Sequence, residues 1–353
     1  MIALAPAPAA AIDDAIDDAV SRIRDRADAV GGGFRDLGAA ISRAAAGGKR
    51  FRPALVAASF EAFGGTASAA PALYPVAAAF ELLHTAFVVH DDVIDHDTMR
   101  RGIPNVAGEF RLRGRATGAD AAGAALLGDA AAILAGDLLL HESFRLVALA
   151  DVDAATRERL FALLDDAIYV SAAGELADVE HSVAAELAEP DAILDAAFNK
   201  TAVYSFRAPL GAGAVLAGAP EAALTILEGA AGKLGLAFQL VDDLIGAFGS
   251  EEQAGREAGG DLRESKRTPL VAIASQSTYW PRVNDALAMA HTGPIAVRDA
   301  QLALEESGAR VRLRRLIDDT LDDVRSASRD RSLPSSAGAL LRSLANAVEG
   351  RVP

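Results

Sequence analysis

Apolar positions recur at helical spacing through most of this chain. Ile12, Ile16, Val20, Ile23, Ala27 and Val30 form a stripe on a helix that stops at the glycines 31–33. Further helices are predicted over 34–46, 54–63, 71–95, 119–150, 155–182, 190–218, 221–248, 268–290, 296–325 and 335–349. No segment alternates apolar and polar residues between turn signals, so no sheet is expected. Residues 1–11, rich in Ala and Pro, read as a disordered tail. Residues 12–353 carry no long linker and no clear repeat, which predicts a single all-α domain.

Residues 80–104, FELLHTAFVVHDDVIDHDTMRRGIP, depart from the amphipathic pattern. The run begins apolar on nearly every face, apart from Glu81 and His84, and then places Asp91, Asp92 and Asp95 at its end. On a helix, Asp91 and Asp95 lie about 40° apart in azimuth and about 6 Å apart in rise, so both carboxylates project from one face. Acids so close raise one another's pKa unless a cation neutralises them. Mg²⁺ suits such donors, because it takes one or two carboxylates and completes its shell with water and substrate phosphates. The chain holds seven Asp-Asp pairs, so context has to separate them. In residues 316–325, LIDDTLDDVR, the stripe Ile317, Leu321 and Val324 lies opposite the acids, as on any exposed amphipathic helix. Residues 12–20 follow the same rule. Only 88–94, VVHDDVI, and 238–245, FQLVDDLI, embed an acidic pair in apolar sequence on both sides. Those two pairs are the metal candidates.

Composition narrows the field. Half of the 353 residues are hydrophobic with few aromatics, which favours helix and allows a large core. A net charge of −15 argues against nonspecific nucleic-acid binding. The absence of cysteine excludes disulfides, thiolate metal sites and cysteine nucleophiles. The first residues lack the charged and leucine-rich regions of a signal peptide. The longest uncharged stretch, 62–80, is interrupted by Gly64, Gly65, Pro71 and Pro75, so no transmembrane segment and a cytoplasmic location are expected.

Within an acidic chain, clustered basic residues are informative. Residues 47–53, GGKRFRP, pack Lys49, Arg50 and Arg52 around glycines that let backbone N–H groups approach an anion. Arg100 and Arg101 follow the first acidic motif, and Lys200 sits mid-helix in 198–205, FNKTAVYS, where a core-facing lysine needs an anionic partner. The polar loop 250–268 adds Arg256, Arg263, Lys266 and Arg267 directly after the second acidic pair. Two acidic pairs embedded in apolar sequence, with the three basic clusters at 47–53, 100–101 and Lys200, describe a site for two polyanions, one held through Mg²⁺ and one held directly.

In these motifs the chain resembles the trans-isoprenyl diphosphate synthases. The resemblance covers roughly residues 40–270 and rests on GKRFRP (48–53), ELLHTAFVVHDDVID (81–95) with RRG (100–102), GDLLL (136–140), Lys200–Thr201, FQLVDD (238–243) and GDLRESKRT (260–268), six motifs in the family's order. It implies a helical bundle around a central cavity. Asp91 and Asp95, with Asp92 helping, would chelate two Mg²⁺ ions, and Asp242 would bind a third from the facing helix. Arg100, Lys200, Gln239 and Lys266 would hold an allylic diphosphate (dimethylallyl, geranyl or farnesyl). The glycine loop with Gly48, Lys49 and Arg52, together with His84 and Arg101, would hold isopentenyl diphosphate. Dipoles near Lys200 and Thr201 would stabilise the allylic carbocation. The resemblance also implies a homodimer.

Two departures stand out. The second motif is usually DDxxD, but here the fifth position is Gly246, and the loop reads Gly255–Arg256 in place of Gly-Lys. Gly246→Asp is expected to restore the motif one turn beyond Asp242, with a modest effect on rate. A class I terpene cyclase would not need GKRFRP, and a non-catalytic synthase subunit would have lost its aspartate motifs. Product length turns on residues deeper along the helix that ends at Asp91, namely Phe87, Ala86, Leu83 and Phe80. Ala86 is small where short-product relatives often carry an aromatic, which favours geranylgeranyl diphosphate over the farnesyl and geranylfarnesyl alternatives.

Overall fold

A computed structural model describes residues 6–66, 70–100, 102–254 and 258–353. The protein is all-α apart from one two-stranded ribbon among the described residues. It gathers into two compact units, one holding Val215–Ala217 and the described part of Ala3–Leu164, the other Asp165–Ala214 and the described part of Gly218–Pro353.

In the first unit, α1 (Pro6–Val30), α2 (Gly32–Ala45) and α3 (Phe51–Ala62) lead to α4 (Leu73–Ile94). α1 is already helical at Pro6, within the stretch expected to be a disordered tail. Alanine is the strongest helix former, and proline is tolerated in a first turn whose N–H groups lack partners anyway. α4 is the core element: Val76, Ala77, Phe80, Leu82, Leu83 and Ala86 are all fully buried. It is followed by β1 (Met99–Arg100), β2 (Ile103–Pro104), α5 (Val106–Ala116) and α6 (Ala121–Ala148). The ribbon pairs Met99 with Pro104 and Arg100 with Ile103, around Gly102 at φ 80°. Strands of two residues give no alternation to read, which is why the expectation of no sheet fails here. α5 was not expected either. Its sequence is rich in arginine, but Asn105 caps it by accepting from Gly108 N at 2.8 Å. Arg22 holds α1 to α6 by donating to buried Glu142 at 3.0 and 2.6 Å.

α7 (Ala154–Val183) begins in the first unit and ends in the second. It is followed by α8 (Pro190–Ala197), a π-helical segment (Phe198–Arg207), α9 (Ala208–Leu216) and α10 (Glu221–Phe248). Next come the single turns α11 (Glu251–Ala254) and α12 (Gly260–Arg263), then α13 (Pro269–Ser275), α14 (Trp280–Met289) and a short 3₁₀ turn (Ala290–Thr292). The chain finishes with α15 (Pro294–Glu306), α16 (Ala309–Ala327) and α17 (Ser335–Glu349). α10 is the core of this unit and packs on the π segment, α16 and α17. The helix expected over 296–325 divides at Gly308, whose φ of 74° no ordinary helix admits. The one expected over 268–290 divides before Trp280, where Pro281 begins a new first turn. On α16, Ile317, Leu321 and Val324 are fully buried, as their stripe predicts.

α4, α6 and α10 are each long and apolar enough to cross a membrane, by length and composition alone. The uncharged stretch 62–80 excluded none of them, because such helices tolerate isolated charges. In α4 the apolar window is two-thirds buried inside the protein, whereas in α6 it is 39% buried. Leu126, Ile133 and Leu134 of α6 therefore stand exposed.

Candidate active site

The first acidic motif closes α4. Asp91 is half-buried, Asp95 is exposed as the C-cap, and Asp95 N donates to Asp91 O at 2.8 Å, so the helix persists to its last acid. Asp92 points elsewhere. It is buried, and its Oδ1 accepts from Arg100 Nε at 3.1 Å and Nη2 at 2.6 Å. Burial pushes its carboxyl above the usual aspartate range, and Arg100 pulls it part of the way back. The ribbon thus has a local purpose, since it brings Arg100 back to the helix end. Asn105 Nδ2 donates to Asp97 O at 2.9 Å and anchors the returning strand. Arg101 lies outside the described residues.

His90 lies one residue before the acids, and its Nε2 sits 3.2 Å from Ile133 O of α6. A Cβ on Gly136 would come within 2.0 Å of that nitrogen, so the glycine of GDLLL makes room for the ring. Deeper in α4, Phe80, Leu83 and Ala86 are fully buried, while Phe87 and His84 are half-buried.

The loop GGKRFRP turns at Gly47 and Gly48, with φ of 70° and 93°, and enters α3 through Arg50 at φ 47°. Of the loop's three basic residues, Arg50 is the structural one. Its Nε donates to Asp13 at 2.8 Å, and its Nη1 to Ala45 O at 3.1 Å and to buried Glu81 at 3.3 Å. Arg50 therefore staples the loop to α1 and α4, while Lys49 is exposed and Arg52 is half-buried. The other oxygen of Glu81 is buried without a hydrogen-bond partner.

In the second unit, Lys200 and Thr201 lie in the π segment, both half-buried. Widened helical turns of this kind occur often at functional sites. Lys200 Nζ donates to Glu175 at 3.0 Å and Asp178 at 2.9 Å, both on α7, which supply anionic partners for this lysine. Two glycines let the neighbouring backbones close on the segment. A Cβ on Gly174 of α7 would meet Lys200 N at 2.2 Å, and one on Gly235 of α10 would meet Ala202 Cα at 2.5 Å. Arg207 ties the segment's end to Glu228 of α10 at 3.0 Å.

The second acidic pair sits on α10, where its two members differ sharply. Asp242 is partly exposed and accepts from Arg351 Nη2 at 2.5 Å. The Arg351 guanidinium also lies over the Phe238 ring, 4.3 Å from its centroid. Asp243 is buried, with Oδ1 accepting from Gln239 Nε2 at 3.0 Å and Oδ2 left without a hydrogen-bond partner. Burial pushes its carboxyl up to about 8, against the pull of Gln239, and the negative charges of Asp261, Asp242 and Asp178 add to the rise. Asp261 lies in the first turn of α12 and is itself buried. Lys266 Nζ lies 3.7 Å from Asp261 and 3.2 Å from Glu264. Arg267 donates to the carbonyls of Ala184 and Glu186 at 2.8 and 2.9 Å, tying the loop to the end of α7. Gly255 and Arg256 lie outside the described residues.

One sequence expectation fails on sterics. A Cβ at Gly246 would lie 1.6 Å from Asp261 Oδ2, so Gly246→Asp meets a carboxylate already in place instead of open space. The sequence reading also missed Glu175, Asp178, Asp261 and Arg351. Glu175 and Asp178 lie one helical turn apart, a signal for a shared cation that needs Lys200 placed beside them. Nothing in the sequence around Arg351 announces its contact, because 109 residues separate it from Asp242.

The donors present suit a hard, oxygen-seeking cation: Asp91 and Asp95 in the first unit, Asp242 in the second, and an orphaned carboxyl oxygen beside the latter. No three acidic or histidine side chains converge as a ready-made cage among the described residues. Mg²⁺ does not need one, since phosphate oxygens and waters complete its shell.

The helical fold and the two acidic motifs define a class, and the chain belongs to the polyprenyl synthetase family, whose family model matches residues 36–299. Among its relatives, a geranylgeranyl diphosphate synthase of Sulfolobus acidocaldarius is 35% identical over 227 residues, covering 64% of this chain and 62% of that protein. A farnesyl diphosphate synthase of Bacillus subtilis is 34% identical over 229 residues, covering 63% and 70%. The chain thus spans under two thirds of the length of the Sulfolobus relative. The crystal structure of a Corynebacterium glutamicum geranylgeranyl pyrophosphate synthase, complexed with isoprenyl diphosphate and magnesium, matches over 99% of this chain and 100% of that one, at 27% identity and a TM-score of 0.88.

Proposed function

We propose that this chain is a Mg²⁺-dependent trans-prenyltransferase that joins isopentenyl diphosphate head-to-tail to an allylic diphosphate, with geranylgeranyl diphosphate as the main product. The observation that carries this reading is the end-to-end likeness to the Corynebacterium glutamicum synthase, a protein crystallised with isoprenyl diphosphate and magnesium. The acidic residues embedded in apolar helix supply the chemistry that such a likeness calls for.

Bound Mg²⁺, up to three ions, neutralises the allylic diphosphate as it leaves. Asp91 and Asp95 hold the metal in the first unit and Asp242 in the second, with Asp92 fixing Arg100 at the end of α4. Arg100, Lys200, Gln239 and Lys266 bind the allylic diphosphate, and Lys200 exchanges its carboxylate partners for phosphate oxygens. Lys49 and Arg52, with Gly48, His84 and Arg101, bind isopentenyl diphosphate, while Arg50 keeps their loop in place. The C–O bond of the allylic substrate breaks, and dipoles around Lys200 and Thr201 stabilise the cation that remains. The isopentenyl double bond attacks that cation, and the departing diphosphate takes the proton. Phe80, Leu83, Ala86 and Phe87 exclude water and limit the growing tail.

The exposed apolar residues of α6 suit a second copy of the chain, and we assign the working form as a cytoplasmic homodimer. A farnesyl product is the second reading, favoured by the Bacillus subtilis relative. The test is incubation of purified protein with isopentenyl diphosphate, each allylic diphosphate and Mg²⁺, followed by chromatography of the products. A C20 all-trans diphosphate is expected. Failure to consume isopentenyl diphosphate with any allylic partner would overturn the assignment and leave a terpene cyclase or a non-catalytic subunit.

A further inference from the structure

The turn that leaves α4 is strained. Asp97 N donates to Asp92 O at 2.8 Å and His96 N to Val93 O at 3.3 Å, a pair of bonds that commonly ends a helix. That turn needs a left-handed residue, and here it is His96, at φ 59°, where glycine would fit without cost. From there the chain runs directly into the ribbon that carries Arg100. Strained backbone persists only where its surroundings fix it, so a bond from outside the turn has to hold it.

Asn105 supplies that bond. Its Nδ2 donates to Asp97 O at 2.9 Å and its backbone N to Thr98 O at 3.1 Å, while its Oδ1 accepts from Gly108 N at 2.8 Å. Its side chain also bonds to the Asp92 carboxylate and, with Arg100, works against the burial that raises that group. A carbonyl on one side and an N–H on the other fix which end of the amide faces which. Capping α5 needs only the oxygen, which aspartate or serine would give equally well. The amide nitrogen is the part that capping leaves unexplained. Gly108 belongs to the same arrangement, because a Cβ there would lie 2.1 Å from Thr98 O. The returning chain can approach α5 this closely only where the helix has no side chain.

We propose that Asn105 is a positioning residue for the allylic diphosphate, whose amide nitrogen locks the turn after α4 onto α5 so that Arg100 is presented in one geometry. It touches no substrate and acts through Arg100. This inference rests on the proposed function, in which Arg100 holds that diphosphate, and it makes the start of α5 part of the binding apparatus.

Calorimetry of the full chain with Mg²⁺ and inorganic diphosphate tests it, alongside the melting temperature in chelator. Asn105→Ser keeps an oxygen for the cap and loses the amide, so it should melt close to wild type. It should nevertheless bind Mg²⁺–diphosphate about tenfold more weakly, the order of loss seen when a partner that orients a binding group is removed. Asn105→Asp also keeps the cap but turns a negative charge towards the Asp97 carbonyl and Asp92, and should bind at least as weakly. Asn105→Ala loses both functions and should melt lower as well. In an Arg100→Ala background, Asn105→Ser should cost less than about threefold more, because residues that act through one another do not add. Wild-type affinity in Asn105→Ser or Asn105→Asp would reduce Asn105 to a helix cap and overturn the proposal. So would a full loss repeated in the Arg100→Ala background, which would show that Asn105 does not act through Arg100. A wild-type chain that binds no Mg²⁺ and diphosphate, and consumes no isopentenyl diphosphate, would instead overturn the parent reading and this one with it.

Discussion

The two acidic motifs place similar carboxylates in different surroundings. At the end of α4 the buried acid, Asp92, receives two hydrogen bonds from Arg100, eight residues away. On α10 the buried acid, Asp243, has only the neutral amide of Gln239, and one of its oxygens has no partner. Burial raises both carboxyls, but Asp92 is offset by a cation whereas Asp243 rises to about 8. The first motif is assembled locally by a hairpin, and the second is assembled across elements. Identical residue types thus meet different electrostatic surroundings because their partners differ.

The largest effect expected is common to both motifs. Asp91→Ala and Asp242→Ala should each lower turnover by on the order of 10²–10³-fold, the usual cost of losing one preorganised charge contact at a reacting centre, with helical content unchanged. Equal turnover in chelator and in Mg²⁺ would break the metal assignment for both. The next effect separates the substrates. Lys49→Ala or Arg52→Ala should raise KM for isopentenyl diphosphate by about tenfold or more and leave that for the allylic diphosphate nearly unchanged. A matching rise for both substrates would mean that the loop does not belong to one diphosphate.

Smaller effects concern stability, measured by thermal melts in chelator. Gly235→Ala should destabilise by roughly 1–3 kcal/mol, because its Cβ would overlap the π segment. Gly229→Ala, on the same helix but facing open space, should instead stabilise by about 0.5–1 kcal/mol through helix propensity. The pH response sharpens the contrast between the buried acids. Asp243 binds its proton more tightly folded than unfolded, so its contribution to stability is full below the ordinary aspartate pKa and is lost as pH rises towards about 8. Asp243→Asn should flatten that part of the melting profile. An unchanged profile would show that the Asp243 carboxyl is not held protonated.

The same local-against-distant contrast explains what could be read from sequence. Most of the long helices, the exposed acidic face of α16 and the acidic run that ends α4 were legible, because their determinants lie within a few turns of one another. The ribbon around Gly102 was too short to alternate, and α5 was masked by its arginines. Two residues contacting the second motif were hidden for another reason. Asp261 stood inside the motif GDLRESKRT with no role assigned to it, and Arg351 looked like one of many surface cations, until the fold placed them against Gly246 and Asp242. Glycine carries no pattern of its own, so Gly174, Gly235 and Gly246 gave no hint that their missing side chains make room for other groups.

The packing of His90 against Gly136 has a consequence for how variant-effect maps of this chain should be read. A saturation scan scored by cell growth would mark position 136 as intolerant beside Asp91, although Gly136 carries no functional group. The two penalties have different origins, volume at one position and charge at the other. If Asp91 holds Mg²⁺ as proposed, raising the Mg²⁺ supply should soften the mildest replacements there and leave those at Gly136 untouched, so a scan repeated at two metal concentrations would sort proposed ion-holding positions from those that only hold the helices together.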